Sequence, residues 1–341
     1  MSQSRDIGPI NFGAHRATVS LAAVSLFKRA KPDPIPDDHL PLGVDDATHL
    51  RQLTRVAFAE AGYEVEVFAD HVVDAEGAQF GLWNLAAVCH DEPRRNWPRV
   101  IADHVRRITA PQLDVEQLGD RELEGSTYWR LVETASLLDP EAYPSRHQIG
   151  EQLTALLSID LPDAVSTPKE DFWVERGGVA QWAAIGRANL LALLVSDDLS
   201  HERLHHPGGA GEFDVVMGDS FFAASVVLHP EHLVRRFSGA ESGPSEDFPE
   251  MPESGILVAM PFRHQLAFRV VDGTPDSAMA LQNMFRFALL GFSDAPGPLS
   301  PHVYWVHQGR WEQVTQFVED EPRVVVSEEL ATHLGINRMD D

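Results

Sequence analysis

The chain is expected to adopt an α+β fold, a mixed but mainly antiparallel sheet with helices packed on it, preceded by a small α/β N-terminal unit. Three observations lead there. "GGVAQWAAIGRANLLALLV" carries Val179, Trp182, Leu190 and Leu193 at helical spacing. "GILVAMPFRHQLAFRVV" and "HVYWVHQGRWEQV" are paired apolar runs joined by short turns; two-residue turns connect antiparallel strands only. Composition is globular, with 43% hydrophobic and 23% charged residues among 341, enough for one large domain or two moderate ones.

The domain reading is a disordered tail over 1–38, a small α+β unit over 39–110, and a larger α+β domain over 111–341. "KRAKPDPIPDD" alternates proline with charge and neither propagates a helix nor pairs as a strand. "VSLFKRAKPDP" would make a natural beginning at Val24, so residues 1–23 are open to question as part of the native protein. In the first unit Asp45 or Asp46 can cap a helix through Leu50, Leu53, Val56 and Ala57, with Gly62 ending it. "YEVEVF" alternates like a strand, and "DHVV" with "AQFG" reads as a hairpin around Glu76-Gly77. "LWNLAAVC" is a short helix. "NWPRVIADHVRRI" is another, capped by Asn96, burying Trp97, Val100, Ile101, Val105 and Ile108.

Residues 110–125 are polar and acidic, as a connector would be. "TYWRLVETASLL" begins extended and "EQLTALLSIDLPDAVST" is a strand or hairpin. "EFDVVMGDSFFAASVVL" is a strand, a tight turn and a helix capped by Asp219 or Ser220; a helix restarts at Pro230. Residues 238–254 form a loop. "DSAMALQNMFRFALLGF" is a helix, and the last hairpin turns at Gln308-Gly309.

Charge and cysteine usage exclude several classes. The formal net charge is −25, which repels phosphate backbones and anionic membrane surfaces, so neither nucleic acid nor membrane is expected as a partner. No apolar run approaches the roughly 18 residues of a membrane span. Lys28, Arg29 and Lys31 follow the apolar stretch "VSLAAVSLF", the reverse of a secretory signal, so a cytoplasmic location is expected. Lysine occurs only at 28, 31 and 169; the Arg bias with abundant Ala suggests a GC-rich bacterial genome. Arg94, Arg95, Arg99, Arg106 and Arg107 read as a solvated helix face. Cys89 is the only cysteine, excluding an internal disulfide and thiolate zinc clusters; its apolar setting reads as a buried structural thiol.

In the second half the order of elements, with "GRANLLAL", "FFAASVVL", "GILVAMPFRHQLAF" and "GPLSPHVYWVHQGRWEQV", resembles the YtpQ-like family of bacterial cytoplasmic proteins over about residues 145–318. The resemblance implies a mixed α+β fold. It brings no activity, so no functional residue is carried over.

Two constellations could carry chemistry. His201-Glu202-x-x-His205 has the spacing of zinc peptidases, where a helix brings both imidazoles to one ion and Glu202 activates water. Here Ser196-Asp197-Asp198 and Pro207-Gly208-Gly209 leave room for two turns at most, and chance produces the pattern about 0.06 times in such a chain; an exposed loop is expected. Gly218-Asp219-Ser220 resembles the nucleophile block of GDSL-type hydrolases, but no Asp after Ser220 has a His three residues on, so a helix cap is expected. Asp37, Asp38, Asp45 and Asp46 near His39 and His49 lack calcium-loop spacing. No Gly-x-Gly-x-x-Gly, P-loop or Gly-x-Ser-x-Gly occurs.

The expectation is therefore a non-catalytic cytoplasmic protein that binds another protein or a small ligand, with no catalytic, cofactor-binding or metal residue assigned and no cofactor. The alternative is a hydrolase, zinc-dependent through His201 and His205 or serine-dependent through Ser220. Trp305 and Trp311 could mark a partner surface but are first expected in the core.

Overall fold

The computed structural model describes residues 5–6, 35–110, 115–137, 139–162, 164–205, 209–238, 251–319 and 321–336. Most of the 1–38 tail reading and most of the loop read over 238–254 lie outside these residues. A two-residue strand, β1 (Arg5–Asp6), comes first. The chain divides into two compact units, the smaller holding Ile7–Val105 together with Phe317–Arg323, the larger Met1–Asp6, Arg106–Gln316 and Val324–Asp341.

In the smaller unit α1 (Val44–Glu60) buries Leu50, Ala57 and Phe58. Its N-cap is Gly43, with Asp45 and Asp46 in the first turn. The two acids thus serve the helix dipole and do not cap, which corrects the sequence reading. β2 (Val65–Val67), β3 (His71–Asp74) and β4 (Gln79–Gly81) form an antiparallel meander in that order. Asp74 Oδ1 accepts from the backbone N–H of Glu76 and Ala78 and so closes the expected turn. Arg51 donates twice to the Asp37 carboxylate and twice to the Ala69 carbonyl. That guanidinium holds the Asp37 carboxyl below its usual range. α2 (Trp83–Asp91) buries Leu85, Ala86 and Cys89, and burial pushes the Cys89 thiol up to about 12, the inert structural thiol expected. α3 (Trp97–Thr109) buries Trp97, Ile101 and Val105.

The larger unit opens with α4 (Asp120–Ser126), whose Leu123 is fully buried. The end of the polar run over 110–125 read as a connector is therefore a short helix pinned by one leucine, while residues 111–114 lie outside the described residues. β5 (Thr127–Glu133), β6 (His147–Ile149), β7 (Leu153–Asp160) and β8 (Val165–Ser166) make an antiparallel sheet ordered β5-β7-β6, with β8 on β7. α5 (Glu170–Glu175) and α6 (Val179–Val195) follow, then β9 (Leu199–Leu204) and β10 (Phe213–Gly218). "FFAASVVL", expected as α-helix, is a turn and a 3₁₀ helix over Ala224–Leu228, and α7 (Pro230–Phe237) starts at Pro230 as anticipated. β11 (Ile256–Phe262), β12 (Gln265–Val270), α8 (Pro275–Asp294), β13 (Val303–His307) and β14 (Arg310–Gln313) complete a six-stranded antiparallel sheet ordered β14-β13-β11-β12-β10-β9. β15 (Thr315–Val318) and β16 (Glu321–Val326) pair with β1 in the order β1-β16-β15, and α9 (Glu328–His333) ends the fold. The α+β class is as expected.

Strand alternation builds the layers. Leu257, Ala259, Val303 and Trp305 face one side of the six-stranded sheet, where α8 lies across β11, β12 and β13. Ile256, Val258, Leu266, Phe268, Tyr304 and Val306 face the other side, in one core with β5, β7 and α6. Trp305 is thus core.

Gly255 sets how closely the chain entering β11 approaches β13. Its φ is +72°, and a Cβ there would stand 2.4 Å from the Val306 carbonyl oxygen and 2.8 Å from Trp305 Nε1. Gly255→Ala is expected to destabilise by about 2 kcal/mol or more, from left-handed backbone strain plus a shift of β13. A urea midpoint equal to that of the parent would show that the approach is not tight.

Candidate functional site

The structure first disperses the constellations read from the sequence. His201, Glu202 and Arg203 lie on β9, an edge strand paired with β10 rather than an exposed loop. On a strand, residues four apart are separated by about 13 Å, too far to share an ion. Each imidazole instead has its own carboxylate: His201 Nε2 is 2.8 Å from Asp214 Oδ1, and His205 Nδ1 meets Glu212 Oε1. Arg203 Nε and Nη2 donate to the two oxygens of buried Asp214 at 3.0 and 3.1 Å. This network charges and clasps a sheet edge.

Ser220 Oγ accepts from the Phe222 backbone N–H at 3.1 Å, and among the described residues no imidazole or carboxylate is hydrogen-bonded to it. Nearby His264 is already engaged on both nitrogens. Nδ1 donates to the Gly218 carbonyl at 3.1 Å and Nε2 accepts from Arg263 Nε at 3.0 Å. Burial and the Arg263 charge push its pKa down, as that neutral pattern requires. The acidic group near the N-terminal helix also disperses: Asp37 binds Arg51, Asp46 lies 3.3 Å from Arg94, and His49 stacks with Trp97.

What the fold does assemble is a cleft of about 350 Å³ in the larger unit. Trp129 of β5 and Trp311 of β14 supply its aromatic surface, with Ala155, Leu228, Met251 and Val306 beside them. Trp129 Nε1 donates to the Ala183 carbonyl at 3.0 Å, which fixes that indole. The polar side comes from Arg187 of α6, His147 of β6, and His229, Glu231 and His232. His229 ends the 3₁₀ helix and Pro230 opens α7, so the chain bends there and brings His229 and His232 onto one turn. Their rings meet edge to face with centroids 5.7 Å apart. His229 Nε2 donates to the Arg187 carbonyl at 2.9 Å. Burial, reinforced by the His232 and Arg187 charges, pushes the His229 pKa down. The ring is therefore neutral near pH 7, with Nδ1 free to accept a hydrogen bond. His232 Nδ1 is buried and has no hydrogen-bond partner, an arrangement that calls for one. A second depression, beside Trp129 and Trp173, offers about 20 Å³, room for a water molecule only.

Comparison with protein-family models, with curated proteins and with solved structures found no match for this chain. The cleft is therefore interpreted from its own chemistry. Among the described residues that line it there is no serine, threonine or cysteine. It can hold a flat apolar body against indole, place an acidic end near Arg187, and accept a hydrogen bond from a ligand N–H or O–H at His229 Nδ1. Sequence reasoning missed His147, Arg187, His229 and His232. The only local signal was His-Pro-Glu-His at 229–232, which says nothing of α6 or β5.

Among the described residues no helix is long and apolar enough to cross a membrane.

Proposed function

We propose that the protein is a non-catalytic cytoplasmic binding protein that takes a small, largely apolar organic anion in the Trp129–Trp311 cleft. The observation that supports this reading is the joining of two indoles, an arginine and an under-bonded His229–His232 pair in one concavity of ligand size. The Arg187 guanidinium matters in a chain of net charge −25, because an anion must be attracted locally against the overall field. The YtpQ-like resemblance is kept as part of this proposal and gives no residue a role.

1-Anilinonaphthalene-8-sulfonate is a suitable probe, with its uncharged parent amine as control. Saturable binding of about one equivalent is expected, stronger for the sulfonate. Arg187→Glu and Trp311→Ala should each weaken it about tenfold or more, the scale of one charge-assisted hydrogen bond or one aromatic contact surface. Equal affinity for both probes, or indifference to both substitutions, overturns the assignment.

A further inference from the structure

A separate cluster on the opposite face of β13 has the chemistry of a metal site. Strand alternation turns Val306 toward the cleft and His307 away from it, to the side of Trp305, on which its ring stacks at 4.5 Å. His307 is 4% exposed. Its Nε2 lies 3.0 Å from the Glu253 carbonyl oxygen. A carbonyl only accepts, so Nε2 carries the hydrogen and the lone pair of the neutral ring falls on Nδ1. Nδ1 is buried without a hydrogen-bond partner, yet stands 3.4 Å from Glu329 Oε1. With the ring neutral, two acceptors face each other at that distance, a gap that a metal ion or a proton would bridge.

The rest of the set comes from α9. Glu329 and His333 are four residues apart on one helix and share a face. The helix is anchored to the sheet by Ser327, whose N–H and Oγ–H donate to Glu312 of β14 at 3.2 and 3.0 Å. One ligand atom each from His307, Glu329 and His333 lies within 4.8 Å of the others. Zinc bonds of about 2.1 Å in tetrahedral geometry separate neighbouring donors by about 3.4 Å. The His307–Glu329 pair already spans such an edge, and a His333 ring nitrogen lies within 4.8 Å of both. The carbonyl on His307 Nε2 is the outer partner that metal-bound imidazoles commonly have. Arg310 Nη2 contacts Glu329 at 3.2 Å from a side chain 67% exposed, a placeholder charge that can withdraw to solvent.

We propose that His307 Nδ1, the Glu329 carboxylate and His333 bind one divalent transition-metal ion of the zinc class, leaving one coordination position for water or another ligand. This site is independent of the cleft ligand.

The test is titration of the chelator-treated full chain with zinc chloride, and with cobalt(II) to read the visible absorption of a low-symmetry site. One equivalent is expected. His307→Ala, His333→Ala and Glu329→Gln should each weaken it at least about a hundredfold, since even outer partners cost 10–100-fold. The double variant His201→Ala/His205→Ala should bind like the parent. His307→Ala removes a buried ring, so the half-buried His333 and exposed Glu329 variants, checked for folding by circular dichroism, carry the result alone if it fails to fold. No stoichiometric binding by the parent, the behaviour of a plain imidazolium–carboxylate pair, overturns the proposal. So does undiminished binding in both His333→Ala and Glu329→Gln.

Discussion

Trp182→Ala is expected to lower the stability of the larger unit by about 3–5 kcal/mol, the range for emptying a buried aromatic site. Trp182 is 1% exposed in the middle of the main core. Its Nε1 donates to the Arg176 carbonyl at 2.8 Å, and its ring lies 5.6 Å from Trp173, which in turn meets Phe172 edge-on at 4.9 Å. The Arg176 guanidinium covers Phe172 at 4.1 Å and reaches Glu116 at 3.0 Å. One indole therefore joins α6 to α5 and to the segment before α4. Alanine loses the apolar contacts, leaves a cavity, and strips the Arg176 carbonyl of its donor. Trp182→Phe restores part of the packing but not the hydrogen bond, and should cost about half as much. Hydrogen exchange of the α6 amides reads the larger unit alone, which a whole-chain melt of two units does not. A loss under about 1 kcal/mol in Trp182→Ala would show that the core closes over the gap.

Acid should destabilise the fold well before its carboxylates titrate. His302 is 1% exposed, with Nδ1 3.1 Å from Thr315 Oγ1. Burial pushes its pKa from 6.5 down to about 4. The folded pKa is the lower one, so the unfolded chain takes up the proton first as pH falls. Stability from the neutral ring is whole above about pH 6.5, declines below it, and is lost by about pH 4. The gap corresponds to about 3 kcal/mol at most. His229 and His264, also pushed down mainly by burial, act in the same direction. Glu133 and Asp160, pushed up by burial, act oppositely and are most favourable in acid. Urea unfolding at pH 7, 5.5 and 4 measures the sum, and His302→Asn should flatten the slope between pH 6.5 and 4. An unchanged slope in that variant would remove His302 from the account.

Local signals were legible where one segment holds all the information. The hairpin turn at Gln308-Gly309 is where it was read, with φ of +49° and +73° at the two residues, because a two-residue turn matching strand twist needs left-handed backbone at both. The helix over 179–195 and the burial of Cys89 were equally plain, since apolar periodicity and an apolar neighbourhood are properties of adjacent residues. "FFAASVVL" misled because small and apolar residues suit an α-helix and a buried 3₁₀ turn alike.

"LSHERL" shows why periodicity alone falls short. Its polar residues carry no apolar alternation; they become a strand because β10 offers an open edge and buried Asp214 collects His201 and Arg203. The candidate sites lie deeper in the same difficulty. Arg187, His229 and Trp311 meet from three elements, and His307 meets Glu329 and His333 only once α9 docks on β14. From its residues alone, this chain settles its class, its net charge, its turns and most of its helices, because those depend on neighbours in sequence. Which polar groups converge was left to the packing of sheets and helices, because electrostatics and coordination act over a few ångströms of space, however many residues of chain intervene.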